Sequence, residues 1–168
     1  MNYLENYYAN YDEEGRLLRR HGRVEYLTTM KYIHELLGDS KKKILEVGAG
    51  TGRYSIALAK EGHEVDALEY TKHNLEIMNS KIEGIQNIHT HQGTALDLSR
   101  FADETFDLTM VLGPMYHLYT KEELWEEYCD FLTLSPEEFM CIQNRLLLEQ
   151  IELWSSSALG QSILKGKY

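Results

Sequence analysis

A short apolar stretch that leads straight into three glycines limits most strongly how this chain can fold. Residues 43–47 have the composition of a buried strand, and Gly48, Gly50 and Gly52 follow at once. Glycine permits positive φ in a tight turn, and without a side chain the backbone can approach a ligand closely. A strand that ends in such a turn and opens a helix is typical of a nucleotide-binding site.

Strand and helix patterns alternate beyond this glycine turn. Helices are predicted at about 52–60 and 71–81, the second of them capped by Thr71. Because alternation at this spacing is typical of parallel sheets, the sequence predicts an α/β fold with a Rossmann-like, doubly wound, mostly parallel sheet. The later strands are predicted at Val65 to Leu68, Asn87 to His91 and Phe106 to Leu112.

The N-terminal part of the chain carries helical patterns. Tyr3, Tyr7 and Tyr11 are spaced by four, which would stack them on one face of a helix. A second helix is predicted from about residue 23 to residue 37, with Gly38 at its end. The apolar residues that recur at steps of three and four in this helix are Val24, Leu27, Met30, Ile33 and Leu37.

Composition excludes several classes of protein. The net charge of −10 disfavours DNA or RNA as a partner, because such binding depends on clustered cations. Two cysteines cannot build a disulfide framework, and no apolar run approaches the roughly 18 residues of a membrane span. The histidines lack metal-ligand spacing, so no metal site is expected. The sequence predicts one acidic, soluble, cytoplasmic domain of 168 residues without nucleic-acid or membrane partners.

Two acidic residues narrow the choice of ligand. Glu69 ends the second predicted strand, about 20 residues after the first glycine, an interval from which a carboxylate can reach ribose hydroxyls. Glu46 precedes the glycines, where it would repel a pyrophosphate but suits a ligand with an ammonium and a sulfonium group. No Lys-Ser or Lys-Thr pair follows the turn, so it is not a P-loop. The pattern favours S-adenosylmethionine over NAD or ATP.

The glycine turn with Glu46, Glu69 and a Gly-x-Ala-x-Asp segment at 93–97 resembles class I S-adenosylmethionine-dependent methyltransferases. The resemblance covers about residues 3–119 and is strongest to small bacterial enzymes of the methyltransferase-domain type. It implies S-adenosylmethionine as the cofactor, an N-terminal lid at 1–40, a cofactor-binding core at 41–119 and a helical C-terminal part at 120–168. The lid role competes with a helix that merely packs on the sheet.

The resemblance also implies a role for each matching residue. Glu69 would accept hydrogen bonds from both ribose hydroxyls, and Glu46 would organise the methionine end of the cofactor. Gly52 serves either the cofactor or only close packing. Position 94 departs from the usual Asp or Asn of the family. The residues expected to bind the cofactor are Glu46, Gly48, Gly50, Gly52, Glu69, Tyr70, Thr94, Ala95, Leu112 and Gly113.

The segment after the fourth predicted strand is expected to meet the methyl acceptor. Tyr116 and His117 are candidates for orienting or deprotonating that acceptor, although His117 could equally pack within its own loop. The segment is not of the Asn-Pro-Pro-Tyr type that methylates nucleobase amines or amide nitrogens. Together with the negative charge, this favours a small-molecule acceptor. The alternatives are a catalytically impaired protein that only binds the cofactor and, less favoured, an NAD-dependent oxidoreductase.

The C-terminal part is expected to be shortened relative to the seven-stranded family fold. Capping boxes at Thr120 and Ser135 predict two helices, the second carrying Phe139 on an apolar face. No Pro-Gly-Gly turn follows Gly113, so the fifth-strand region is expected to be missing. The fourth strand would then lie at an open edge. Either the chain's own C-terminal strand, weakly indicated at Gln161 to Lys165, or a second copy of the chain in a homodimer could cover this edge.

Overall fold

A computed structural model describes residues 19–113 without a gap, together with residues 3, 6–7, 10–12, 14–15, 133–134 and 139–141. Within this part of the chain, no helix combines the length and the apolar character needed to cross a bilayer. The helices are α1 (Arg20–Leu37), α2 (Arg53–Lys60) and α3 (Lys72–Lys81). The strands are β1 (Lys43–Val47), β2 (Glu64–Glu69), β3 (Ile88–Gln92), β4 (Leu108–Val111) and β5 (Phe139–Cys141).

The strands form one sheet in the order β3-β2-β1-β4-β5, and every neighbouring pair is parallel. The chain moves outward from β1 to β3 and then returns to β4 on the other side of β1. This reversal makes the sheet doubly wound and brings the carboxyl ends of β1 and β4 together at a topological switch point. The predicted Rossmann-like fold class is confirmed.

Apolar side chains cover both faces of the sheet. On one face, α1, α2 and α3 pack over Ile44, Val65 and Ala67. On the other face, Leu98 and Phe106 from the connection between β3 and β4 pack over Leu45. Strand β1 is buried along almost its whole length, which explains its nearly continuous apolar sequence.

Of the five apolar residues predicted to line one face of α1, three are buried and two are exposed. Met30, Ile33 and Leu37 are buried against the sheet, whereas Val24 and Leu27 are exposed. The helix begins three residues before the predicted start, and its early turns contact the core through Tyr26, whose ring centroid lies 5.3 Å from that of Tyr54. Val24 and Leu27 lie off this contact face. Farther toward the N-terminus, the rings of Tyr3, Tyr7 and Tyr11 stack in sequence as predicted, at centroid distances of 6.4 and 5.3 Å.

At the edge of β4, the structure differs from two predictions made from the sequence. Phe139–Cys141 forms strand β5 instead of the predicted helix after Ser135, and this strand pairs with Thr109 to Val111. A fifth strand is therefore present, and the chain itself covers this edge of β4, one of the two coverings expected, although with other residues than Gln161 to Lys165. The homodimer stays a prediction. The backbone of β4 needs hydrogen-bond partners, and this requirement outweighs the helical spacing of the local apolar residues. The helix predicted after Thr120 lies outside the described residues, apart from Thr133 and Leu134.

Candidate cofactor site

The glycine turn joins β1 to α2 and depends on three positive φ angles. Gly48, Gly50 and Gly52 have φ of 76°, 57° and 80°, a region that residues with a Cβ rarely adopt. The amides of Gly48 and Ala49 both donate to the carbonyl of Leu68, at 2.8 and 3.0 Å. The turn is therefore held against the end of β2, where the predicted ribose-binding carboxylate lies.

Glu69 is bonded directly to this turn. It is only 6% exposed, and its Oε2 accepts a hydrogen bond from the amide of Gly50 at 2.8 Å. Its Oε1 accepts from the amide and the hydroxyl of Thr71, at 2.8 and 2.7 Å, and from the Asn74 amide group at 3.4 Å. The two features that the sequence predicted as one site, the glycine turn and the second-strand acid, are in contact.

These hydrogen bonds limit what Glu69 can still accept. A carboxylate offers about four lone-pair directions, two on each oxygen. Among the described residues, Thr71 and Asn74 occupy the lone-pair directions of Oε1, and Oε2 has one donor, Gly50. One direction on Oε2 remains, so the present geometry accommodates one ribose hydroxyl. The predicted contact with both hydroxyls requires an existing hydrogen bond to be exchanged.

Thr71 differs from its predicted role. It precedes α3 as expected, but its side chain makes no capping hydrogen bond to the helix. The hydroxyl donates to Glu69 instead, because an ionised acceptor at 2.7 Å is stronger than a backbone amide partner. The sequence signal for this contact was a hydroxyl residue two positions after the acid. Asn74, whose buried Oδ1 has no partner among the described residues, was not predicted at all.

Glu46 lies on the same face of the sheet as Glu69 and is almost fully buried. Its Oε2 accepts from the amide of Ser55 at 2.9 Å and from the Ser55 hydroxyl. Burial raises the pKa of Glu46 to about 7; the hydrogen bonds from Ser55 oppose this, and the nearby charge of Glu69 adds to it. Ser55 belongs to the first turn of α2, so Glu46 occupies part of that helix N-terminus.

Three other predicted cofactor residues, Tyr70, Thr94 and Ala95, lie in the segments that follow β2 and β3. The amide of Gly93 donates to the carbonyl of Glu69 at 3.1 Å, which brings the segment after β3 beside the acid. In that segment the Thr94 hydroxyl accepts from the amide of Leu96 at 3.2 Å, and Ala95 packs toward the second face of the sheet. Tyr70 is 36% exposed next to Glu69.

Two further predicted residues follow β4. Val111 pairs with Val47, so Leu112 and Gly113 come directly beside the start of the glycine turn. Leu112 packs against the helix-covered face, and Gly113 has φ of 130°. Tyr116 and His117, the predicted catalytic candidates, lie outside the described residues.

Comparison with known proteins agrees with this geometry. A sequence profile described as a methyltransferase domain matches residues 44–133, which is more than half of the chain. The chain belongs to this methyltransferase-domain family. The resemblance to class I S-adenosylmethionine-dependent methyltransferases is thereby confirmed.

Two curated relatives of this methyltransferase domain are demethylmenaquinone methyltransferases. The one from Staphylococcus haemolyticus is 32% identical over 59% of this chain and 38% of its own length. The one from Bacillus licheniformis is 31% identical over 64% of this chain and 47% of its own length. The chain therefore spans less than half the length of these relatives.

Solved structures share the fold. The PH0226 protein from Pyrococcus horikoshii has a TM-score of 0.71 at 20% identity, over 90% of this chain and 72% of that one. Phosphoethanolamine N-methyltransferase 1 from Haemonchus contortus, solved with phosphoethanolamine and S-adenosylhomocysteine, has a TM-score of 0.53 at 23% identity. That match covers 56% of this chain and 20% of the Haemonchus chain.

Proposed function

We propose that this chain binds S-adenosylmethionine between the glycine turn and Glu69 and transfers its methyl group to a small-molecule acceptor. When bound, the cofactor supplies an electrophilic methyl group on a sulfonium. Membership of the family supports the proposal, and so does the contact between Gly50 and the Glu69 carboxylate. The residues proposed to hold the cofactor are those predicted from the sequence, with Glu69 on the ribose and the turn backbone on the amino-acid end.

The proposal rests mainly on the positions of two buried carboxyl groups, those of Glu46 and Glu69. Dinucleotide sites use free amides at the turn and at the helix N-terminus to bind a pyrophosphate. Here Glu46 accepts a hydrogen bond from the amide of Ser55 in the first turn of α2, and Glu69 accepts one from the amide of Gly50. Because these two amides already bond to carboxyl groups, they are not free to bind a pyrophosphate, and this favours a ligand with a cationic end.

The acceptor is proposed to lie beyond the carboxyl ends of β1 and β4, where Gly113 ends the described core. In open parallel sheets, ligands sit in the crevice outside these strand ends. In-line methyl displacement gains most of its rate from alignment, so residues here need mainly to orient the acceptor. The relatives' names mention demethylmenaquinone in one case and ribosomal RNA in another. The net charge of −10 favours a small molecule over RNA.

Calorimetry with S-adenosylhomocysteine tests the cofactor part of the proposal. The wild-type chain should bind it and show no affinity for NADH. The Glu69→Ala variant should bind it about tenfold or more weakly, because a hydrogen bond to a charged group is lost. Glu64→Ala is the matched control, since Glu64 begins the same strand but is exposed and, among the described residues, its side chain pairs only with Lys43.

The outcomes separate the competing functions. Equal affinity of wild type and Glu69→Ala would mean that the ribose is held elsewhere. Preference for NADH would favour an oxidoreductase. Binding of S-adenosylhomocysteine without turnover on a panel of small-molecule acceptors would favour a binding protein without transferase activity.

A further inference from the structure

A lysine on α3 connects the glycine turn to the N-terminal segment of the chain. Lys81, the last residue of α3, donates from Nζ to the backbone carbonyl of Thr51 at 3.0 Å. The same Nζ bonds to the carboxylate of Glu14. Thr51 lies between Gly50 and Gly52, so this lysine holds the middle of the turn, while Glu69 holds the amide of Gly50.

Glu14 is linked to the turn through Lys81, which contacts both the Glu14 carboxylate and the Thr51 carbonyl. The Thr51 side chain and the positive charge of Arg53 also help to lower the pKa of Glu14. Partial burial raises the pKa of Glu14, but the hydrogen bonds from Lys81 and Thr51 outweigh this and lower the pKa overall. The Glu14 carboxylate therefore stays ionised at neutral pH, and its negative charge attracts Lys81 and Arg53.

The same helix supports the turn at a second point. A Cβ built on Gly52 would lie only 2.6 Å from the buried side chain of Met78, one turn before Lys81 on α3. Met78 therefore fixes the end of the turn by packing, and Lys81 fixes its middle by hydrogen bonding. Lys72, at the other end of α3, forms an exposed pair with Glu76 and no other ion pair within the described part of the chain.

We propose that Lys81 and Glu14 are positioning residues that hold Thr51, and through it the glycine turn, in the conformation that binds the cofactor. This inference rests on the proposed function, because it concerns the same site. If the bridge favours the binding conformation, cofactor binding must by thermodynamic reciprocity also favour the contact of Glu14 with the turn.

The test measures the affinity for S-adenosylhomocysteine in four variants and a control. Lys81→Met should weaken binding about tenfold, and Glu14→Gln about threefold, since the Glu14 contact is partly exposed. The double variant should bind no more weakly than Lys81→Met alone, because both changes remove one bridge. Lys81→Arg should restore most of the affinity, and the control Lys72→Met should bind like wild type.

Hydrogen exchange distinguishes positioning from general destabilisation. In ligand-free Lys81→Met, the amides of Gly50, Thr51 and Gly52 should exchange faster while those of β1 keep their protection. Wild-type affinity in both single variants would overturn the inference, as would faster exchange throughout the sheet. Absence of binding by the wild-type chain would instead refute the proposed function.

Discussion

At the scale of single residues, Glu46 and Glu69 are two buried carboxylates that share one face of the sheet. Glu69 accepts hydrogen bonds from Gly50 in the turn and from Thr71 and Asn74 beyond β2. Among the described residues, Glu46 accepts hydrogen bonds only from Ser55. Its nearly complete burial raises the pKa of Glu46 to about 7. Glu46 is therefore a carboxyl group whose charge state changes near neutral pH.

The titration of Glu46 should make stability depend on pH. Its folded pKa of about 7 lies above the ordinary 4.5, so the folded chain holds this proton more tightly than the unfolded chain. The stability that the neutral side chain contributes is complete below pH 4.5 and is lost as the pH rises to 7. Over that range the loss is about 3 kcal/mol.

Urea unfolding of wild type and Glu46→Gln at several pH values measures this effect. Glutamine keeps an acceptor for Ser55 but does not titrate. The free energy of unfolding of wild type relative to the variant should fall by about 2–3 kcal/mol between pH 5 and pH 8. Parallel curves for the two proteins would show that Glu46 does not titrate in this range.

At the scale of elements, β2 and α3 together hold the glycine turn. Leu68, Glu69, Met78 and Lys81 all contact it, and every one of them belongs to these two elements or their ends. The sequence predicted the turn and Glu69, because glycine spacing and an acid at a strand end are local signals. It did not predict Met78 or Lys81, because contacts between residues far apart in sequence leave no local pattern.

The packing of Gly52 against α3 predicts an unequal effect of two glycine substitutions. Gly52 and Gly84 have nearly equal φ, 80° and 83°, so alanine adds similar backbone strain at both positions. No atom of the described residues lies within 4 Å of a Cβ at Gly84, whereas a Cβ at Gly52 meets the buried Met78. Gly52→Ala should therefore lower the free energy of unfolding by about 1–3 kcal/mol more than Gly84→Ala does.

Urea unfolding of both variants shows whether Gly52 is needed for packing against Met78 or only for its positive φ. Equal losses would mean that Met78 moves aside without cost, and that Gly52 is needed only for its φ. A larger loss in Gly52→Ala would assign the third glycine to packing against α3, the alternative to cofactor contact that the sequence left open.

At the scale of the whole molecule, the sheet order follows from the alternation of strands and helices that the sequence carries. The bounds of β1 were predicted without error, and those of β2, β3 and α3 to within two residues. Strand β5 was not predicted, because its three apolar residues also fit a helical pattern. The strand is favoured over the helix because the edge of β4 would otherwise be unpaired, and that edge exists only in the assembled sheet.

The assembled sheet places the turn, Glu69 and the end of β4 at one edge, and a complex with the demethylated cofactor tests that arrangement most directly. In a crystal soaked with S-adenosylhomocysteine, a ribose hydroxyl should lie within hydrogen-bond distance of Glu69 Oε2. The amino-acid end should lie against the backbone of Gly48 to Gly50. Electron density for the ligand elsewhere, or none beside the turn at saturating concentration, would contradict the assignment of this site.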